Sequence, residues 1–386
     1  MRAKKVLLSV IILCTGVLSI NSLFSSCNSK KGVDVSYQIQ WNEKDILLAL
    51  SDNNNSLQFL TILDSAARLQ EQFPDSAFID LFYNKWKTEM SSSYPLAQIF
   101  STYELKDRIN FESSDEDVYR VLKQESKQVL GTVFQIIRLR LEDLKCKIEW
   151  FGRYENKEQQ SKQAIPSPNK LFLTLSDVKN LKTVEDVLTS QGYFDIWETY
   201  DNNDIDFTIL KEDPKIKQIC IFNENTVGAT FAFVRDEKAA ADVFNQILME
   251  NKLPADLLFM YGSPNDGLIP VFTIKSSRSG QGALTGSVIT KAKAEKSNYN
   301  DMYEIQISLN AEGAKTFSRI TENNIGRQLP ISIDNRILTA PVVGAQIVGG
   351  QLNISGNFTK DEAEYLAIKL NSGTLPVKCN VEILKY

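Results

Sequence analysis

The chain has 386 residues, 43% hydrophobic and 24% charged, enough to bury the cores of two or three globular domains. Its formal net charge of −5 argues against nucleic acid as a partner, because phosphate binding needs a basic footprint. Histidine is absent, which removes the commonest general base, the Ser-His and Cys-His nucleophile systems and most transition-metal sites.

Residues 1–26 read as a signal peptide. Arg2, Lys4 and Lys5 form a charged start, and Val6 to Ile20 is an apolar run of 15 residues, short of the roughly 20 that span a bilayer. Leu23-Phe24-Ser25-Ser26-Cys27 resembles a bacterial lipoprotein cleavage box, with Cys27 as the acceptor for lipid such as palmitate. An uncleaved helix reaching Phe24 and plain secretion are the alternatives. All three place the body outside the cytoplasm, in the cell envelope on the periplasmic side. Cys146, Cys220 and Cys379 in the body are too widely spaced for a zinc ribbon and read as small apolar core residues.

From residue 27 the body begins with a strand. Val33, Val35, Tyr37, Ile39 and Trp41 alternate with polar residues, and Asn42-Glu43-Lys44-Asp45 starts a short helix through Leu50. Residues 52–112 read as a helical insert. Leu57, Leu60, Leu63, Ala67 and Leu69 form one apolar face, and Phe78, Leu81, Phe82 and Trp86 form another, both expected in a core. Ser114-Asp115-Glu116-Asp117 starts a long helix to about Lys145, with acids at its positive dipole end. Its stripe from Val118 to Leu144 is apolar, and Arg138, Arg140, Glu142 and Lys145 are expected in solvent. Strands are expected at 147–150, 170–175 and 193–200, with a helix begun at Thr183 between the last two.

Further on, 229–234 and 268–274 read as strands and 239–248 as a helix. From Glu304 the pattern sharpens. Glu304 to Leu309 alternates as a strand, and Asn310 caps a helix. Asp334-Asn335 suits a tight hairpin turn, since both residues tolerate left-handed angles. Thr359-Lys360-Asp361-Glu362 is a capping box for a helix that Gly373 and Pro376 end. The order of elements is α+β.

Six ordered motifs in this last stretch carry a resemblance. They are Leu309 to Lys315, Asn324-Ile325-Gly326-Arg327, Ile333-Asp334-Asn335, Ala340 to Val343, Ile354 to Thr359, and Ser372 to Pro376. The stretch resembles the large periplasmic domain of SecD, the bacterial protein-export subunit. The resemblance implies an α+β fold in which a ferredoxin-like split base carries an inserted α+β head. The base then spans 27–200, including the insert at 52–112, and is completed by a C-terminal strand at 371–386, while the head occupies 201–370. It implies that strand 193–200 lies in one sheet with the last strand; if the two lie apart, the kinship and the function inferred from it both fall. Phe134 to Leu144 is similar to the long base helix of that family.

What the resemblance implies for function is a non-enzymatic, envelope-anchored module. It binds unfolded or nascent polypeptide, or components of the Sec translocase, and assists protein export. The alternative is a structural or partner-binding lipoprotein that kept the fold without an export role. No run after the N-terminus approaches the length of a membrane helix, so the family's proton-conducting bundle is not expected within these residues. No catalytic residue, cofactor or metal is expected. Partner contact is expected at exposed strand edges, at the head's apolar surface, and at a polar and turn set of Asn324, Gly326, Arg327, Asp334, Pro341, Gly356 and Asn357. Hinges are expected at 201–203 and at Asn371-Ser372-Gly373.

Overall fold

The structure is a computed structural model. It describes residues 32–51, 56–74, 76–90, 94–102, 105–161, 169–201, 204–222, 228–250, 253–277, 280–298 and 301–385. Residues 1–26, expected as a signal peptide, and Cys27 lie outside the described residues. Among the described residues, no helix is long and apolar enough to cross a membrane.

The base is a four-stranded antiparallel sheet. Its strands are Val33–Trp41, Lys147–Gly152, Lys170–Val178 and Cys379–Lys385, and the last of these lies at one edge beside the first. The spatial order is fourth, first, third, second, which is the ferredoxin-like arrangement of two interleaved strand–helix–strand units. On the first strand Val35, Tyr37, Ile39 and Trp41 point to one side and are buried, as the alternation requires. Helices Asp115–Asp143 and Leu181–Thr189 contribute to the same core. The shorter helix starts at Leu181 under an Asn180 cap, two residues before the expected Thr183.

The helical insert packs into this core as well. Helix Leu57–Gln72 buries Phe59, Ile62, Leu63 and Ala66, so its inward face is rotated from the expected one and Leu57 stands in solvent. The aromatic stripe on helix Phe78–Glu89 is core, with Phe59 set edge-on to both Phe82 and Phe100.

Among the described residues, the head contains three sheets. Ile289–Lys296, Tyr303–Leu309 and Gln351–Phe358 form an antiparallel trio packed on helices Ala311–Asn323 and Lys360–Ser372. Phe194–Ile196 lies between Leu284–Thr285 and Ile331–Ile333, and the latter pairs with Arg336–Thr339. Ile269–Lys275 organises the third sheet, pairing with Glu198–Thr199, Thr230–Val234 and Leu257–Tyr261. That sheet shares a core with helix Glu237–Glu250 through Phe231, Phe244 and Phe259.

The 193–200 segment is therefore a correction. It does not join the last strand; its two short pieces belong to two head sheets, whereas Cys379–Lys385 pairs with Val33–Trp41. The break falls at Trp197, whose N–H bonds the Pro330 carbonyl and whose indole bonds Ser332 Oγ. Buried and hydrogen-bonded in this way, Trp197 turns the chain from one head sheet to the next.

Candidate functional site at the head–base junction

Two adjacent stretches carry the chain between base and head, Ser190–Tyr193 outward and Gly373–Leu375 back. They are tied to one another, since Leu375 N–H bonds the Gln191 carbonyl at 2.7 Å. Arg140, from the long base helix, is fully buried beneath them rather than in solvent as its charge suggests. Its Nε donates to Ser372 Oγ, Nη1 to the carbonyls of Val187 and Ser190, and Nη2 to those of Gln191 and Gly373. A guanidinium has five N–H donors, and all five are used. Burial draws its pKa down to about 10, against the opposing field of Asp334, so it remains cationic at neutral pH.

Asp334 fastens the head side. It opens the hairpin turn with φ +51°, followed by Asn335 at +60°, and Ile333 pairs with Arg336 across this two-residue loop. Its carboxylate accepts from Gly192 N–H at 2.6 Å, Tyr193 N–H at 3.0 Å, Lys369 Nζ at 2.8 Å and the Ser190 hydroxyl. Burial alone would raise its pKa, but Lys369 and the hydrogen bonds outweigh burial and hold it below the usual carboxylate range. Burial pulls the Lys369 ammonium below its ordinary value, with Asp334 opposing. One base helix, both crossings, a head hairpin and a head helix thus meet in one satisfied polar knot.

Beside the knot lies a groove of about 810 Å³ between base and head. Its base wall includes Lys145, Cys146, Lys179 and Asn180, and its head wall includes Ala292, Ala294, Tyr365 and Asn371.

The head also carries an apolar apron. Ile325 is 55% exposed, Val342 60% and Val348 72%. Ile325 bridges to Val343, Val342 bridges to Gln328, and Ile347 N–H bonds Thr321 Oγ1, so these residues surround the end of helix Ala311–Asn323.

The predicted contact residues divide among these places. Asn324 is buried, and its Nδ2 donates to Glu198 Oε1 and to the Ile320 carbonyl, each at 2.8 Å. Arg327 grips Asp204 with both terminal nitrogens, at 2.6 and 3.1 Å. Gly326 has φ +82° and donates to the Val343 carbonyl, and the Pro341 carbonyl accepts from Leu329. At the apron, Asn324 is thus buried, Arg327 half-buried, and Gly326 and Pro341 exposed. Asp334 belongs to the knot. Gly356 and Asn357 lie apart, on the edge strand Gln351–Phe358, where a Cβ on Gly356 would stand 2.7 Å from the Phe358 ring. Of the expected hinges, 202–203 lie outside the described residues, and the outward crossing is at 190–193. Arg140 and Lys369 were not anticipated. The available signal was Arg140's place three and four residues after Ile137 and Ile136, on the buried stripe itself.

A ferredoxin-like base carrying a multi-sheet head through two bonded crossings defines a two-lobed α+β domain. Residues 273–377 match the family SecDF, P1 head subdomain. Over 152 residues the chain is 31% identical to the protein translocase subunit SecD of Calditerrivibrio nitroreducens, covering 39% of this chain and 29% of that protein. Over 102 residues it is 41% identical to SecD of Acidaminococcus fermentans, covering 26% and 24%. A crystal structure of SecDF in a super-membrane-facing form is 22% identical, with TM-score 0.39, covering 66% of this chain and 28% of that one. The chain resembles the periplasmic domain of SecD, and the part of its head within residues 273–377 is similar to the SecDF P1 head subdomain. It spans under a third of the length of these curated relatives.

Proposed function

We propose that this protein is an envelope-side, non-enzymatic module that holds unfolded or nascent polypeptide and assists protein export together with Sec translocase components. The observation that carries the reading is the apolar apron of Ile325, Pro341, Val342, Ile347 and Val348 on a head of the SecDF P1 type. Exposed apolar side chains grouped on a braced scaffold suit the non-specific grip that diverse unfolded chains require. The polar set around Asn324 and Arg327 shapes this surface from within and leaves contact to the apolar residues. The base holds the head, with the crossings at 190–193 and 373–375 as the pivot, and Cys27 supplies a lipid anchor at the membrane.

In-cell photo-crosslinking from Val342 and Val348 tests the reading. Adducts with exported precursors or translocase subunits are expected. Adducts confined to one unrelated envelope protein would instead favour a structural lipoprotein. Loss of palmitate labelling in Cys27→Ala tests the anchor.

A further inference from the structure

The head wall of the groove contains a strand edge that is only partly closed. Among the described residues, strand Ile289–Lys296 pairs with Tyr303–Leu309 on one side and with no strand on the other, and helix Lys360–Ser372 packs against it. On that outer side Ala292 N–H donates to Asn371 Oδ1 at 2.7 Å, and its carbonyl accepts from Asn371 Nδ2 at 2.9 Å. A side-chain carboxamide therefore bonds Ala292 as the backbone of a neighbouring strand would. Alternate residues of a strand turn their main-chain groups to the same side. The N–H and carbonyl of Ala294 thus face outward like those of Ala292, and both residues line the groove. Their methyl side chains pack into the head core with Ala363, Leu366 and Ala367, so only main-chain groups are offered outward.

We propose that this edge is a main-chain docking site for an extended polypeptide segment, with the Asn371 carboxamide as its resting occupant. The proposal rests on the polypeptide-holding reading above and gives it a second, sequence-independent contact. The charges around the groove favour this occupant over a polyion, since Lys145, Lys179 and Lys293 are set among Asp143, Asp177, Asp361 and Glu364. A peptide backbone brings equal numbers of donors and acceptors and no net charge. Docking also reaches the pivot, because Asn371 immediately precedes Ser372, which accepts from Arg140. A segment that displaces Asn371 acts on the return crossing directly.

The test uses the full chain and a fluorescein-labelled (Thr-Val)4 peptide, compared by anisotropy with the same peptide N-methylated at alternate residues. The parent peptide is expected to bind and the N-methylated one to bind at least tenfold more weakly. Asn371→Ala, which frees Ala292, is expected to tighten binding of the parent at least threefold. Ala294→Pro removes an outward N–H, the one strand position where proline is tolerated, and is expected to weaken it tenfold. Should Ala294→Pro fail to fold, the N-methyl comparison on the unaltered protein decides. Equal binding of the two peptides overturns the proposal. If that equal binding is abolished by Val342→Asp with Val348→Asp, the polypeptide-holding reading survives without the edge. If neither peptide nor reduced, carboxymethylated lactalbumin binds, both fall.

Discussion

Replacing Arg140 with Met tests whether the knot sets the head on the base. Methionine keeps the apolar stem and leaves five acceptors without their donor. At about 1.5 kcal/mol for each hydrogen bond to a charged group, the gross loss is about 7 kcal/mol. Relief from holding a cation out of water returns several kcal/mol of that, so the net destabilisation is about 3 kcal/mol. Arg140→Lys keeps a buried charge but has three donors in place of five, so it is expected to do no better than Met. Urea unfolding of the full chain measures the loss. Hydrogen exchange at Leu375 N–H, bonded to Gln191, reports whether the crossings have loosened. A loss below about 1 kcal/mol, within the range of an ordinary surface change, with Leu375 equally protected, would refute the reasoning.

Other outcomes follow from the same coordinates. Asp195 is buried, with Gly282 N–H on its Oδ1, and burial pushes its pKa up to about 6, so its stabilising contribution is full below the unfolded value and disappears as pH rises through 6. Asp195→Asn keeps the acceptor without the charge, and is expected to be more stable than the unaltered protein by about 2 kcal/mol at pH 8, but not at pH 4; equal urea midpoints at pH 8 would count against it. Asp334 is depressed, so its contribution is present above the unfolded carboxylate value and fades as pH falls through the lower folded one. Acid unfolding is therefore expected to flatten in Asp334→Asn, read from urea midpoints between pH 6 and 2. Gly192 has φ +81°, and a Cβ there would stand 2.8 Å from Arg140 Nη2, so Gly192→Ala is expected to cost about 1–3 kcal/mol in urea unfolding.

Local features of the chain were legible because their chemistry is local. The Thr359–Glu362 capping box, the Asn310 cap and the left-handed Asp334-Asn335 turn each depend on residues a few positions apart, and each is present. The α+β class and the ferredoxin-like base also hold. Strand partnership was not legible in the same way. Nothing within 193–200 announces that its halves pair with residues more than 70 positions away, and the Trp197 break depends on Pro330 and Ser332. The kinship rests on the match at 273–377, not on that pairing. Arg140 was hidden by its own charge, for a lone cation on a helix reads as solvated until the carbonyls that surround it are in view. Asn324 is buried against Glu198 and Arg327 is paired with Asp204, partners that the sequence does not show.

Handling of exported chains is the central property proposed for this protein. Pulse-labelling of precursors after depletion of this protein in its own cells measures that directly. Slowed precursor processing, restored by the unaltered chain but not by Val342→Asp with Val348→Asp, is the predicted result. Processing at an unchanged rate after depletion, or full restoration by the doubly substituted chain, would contradict it.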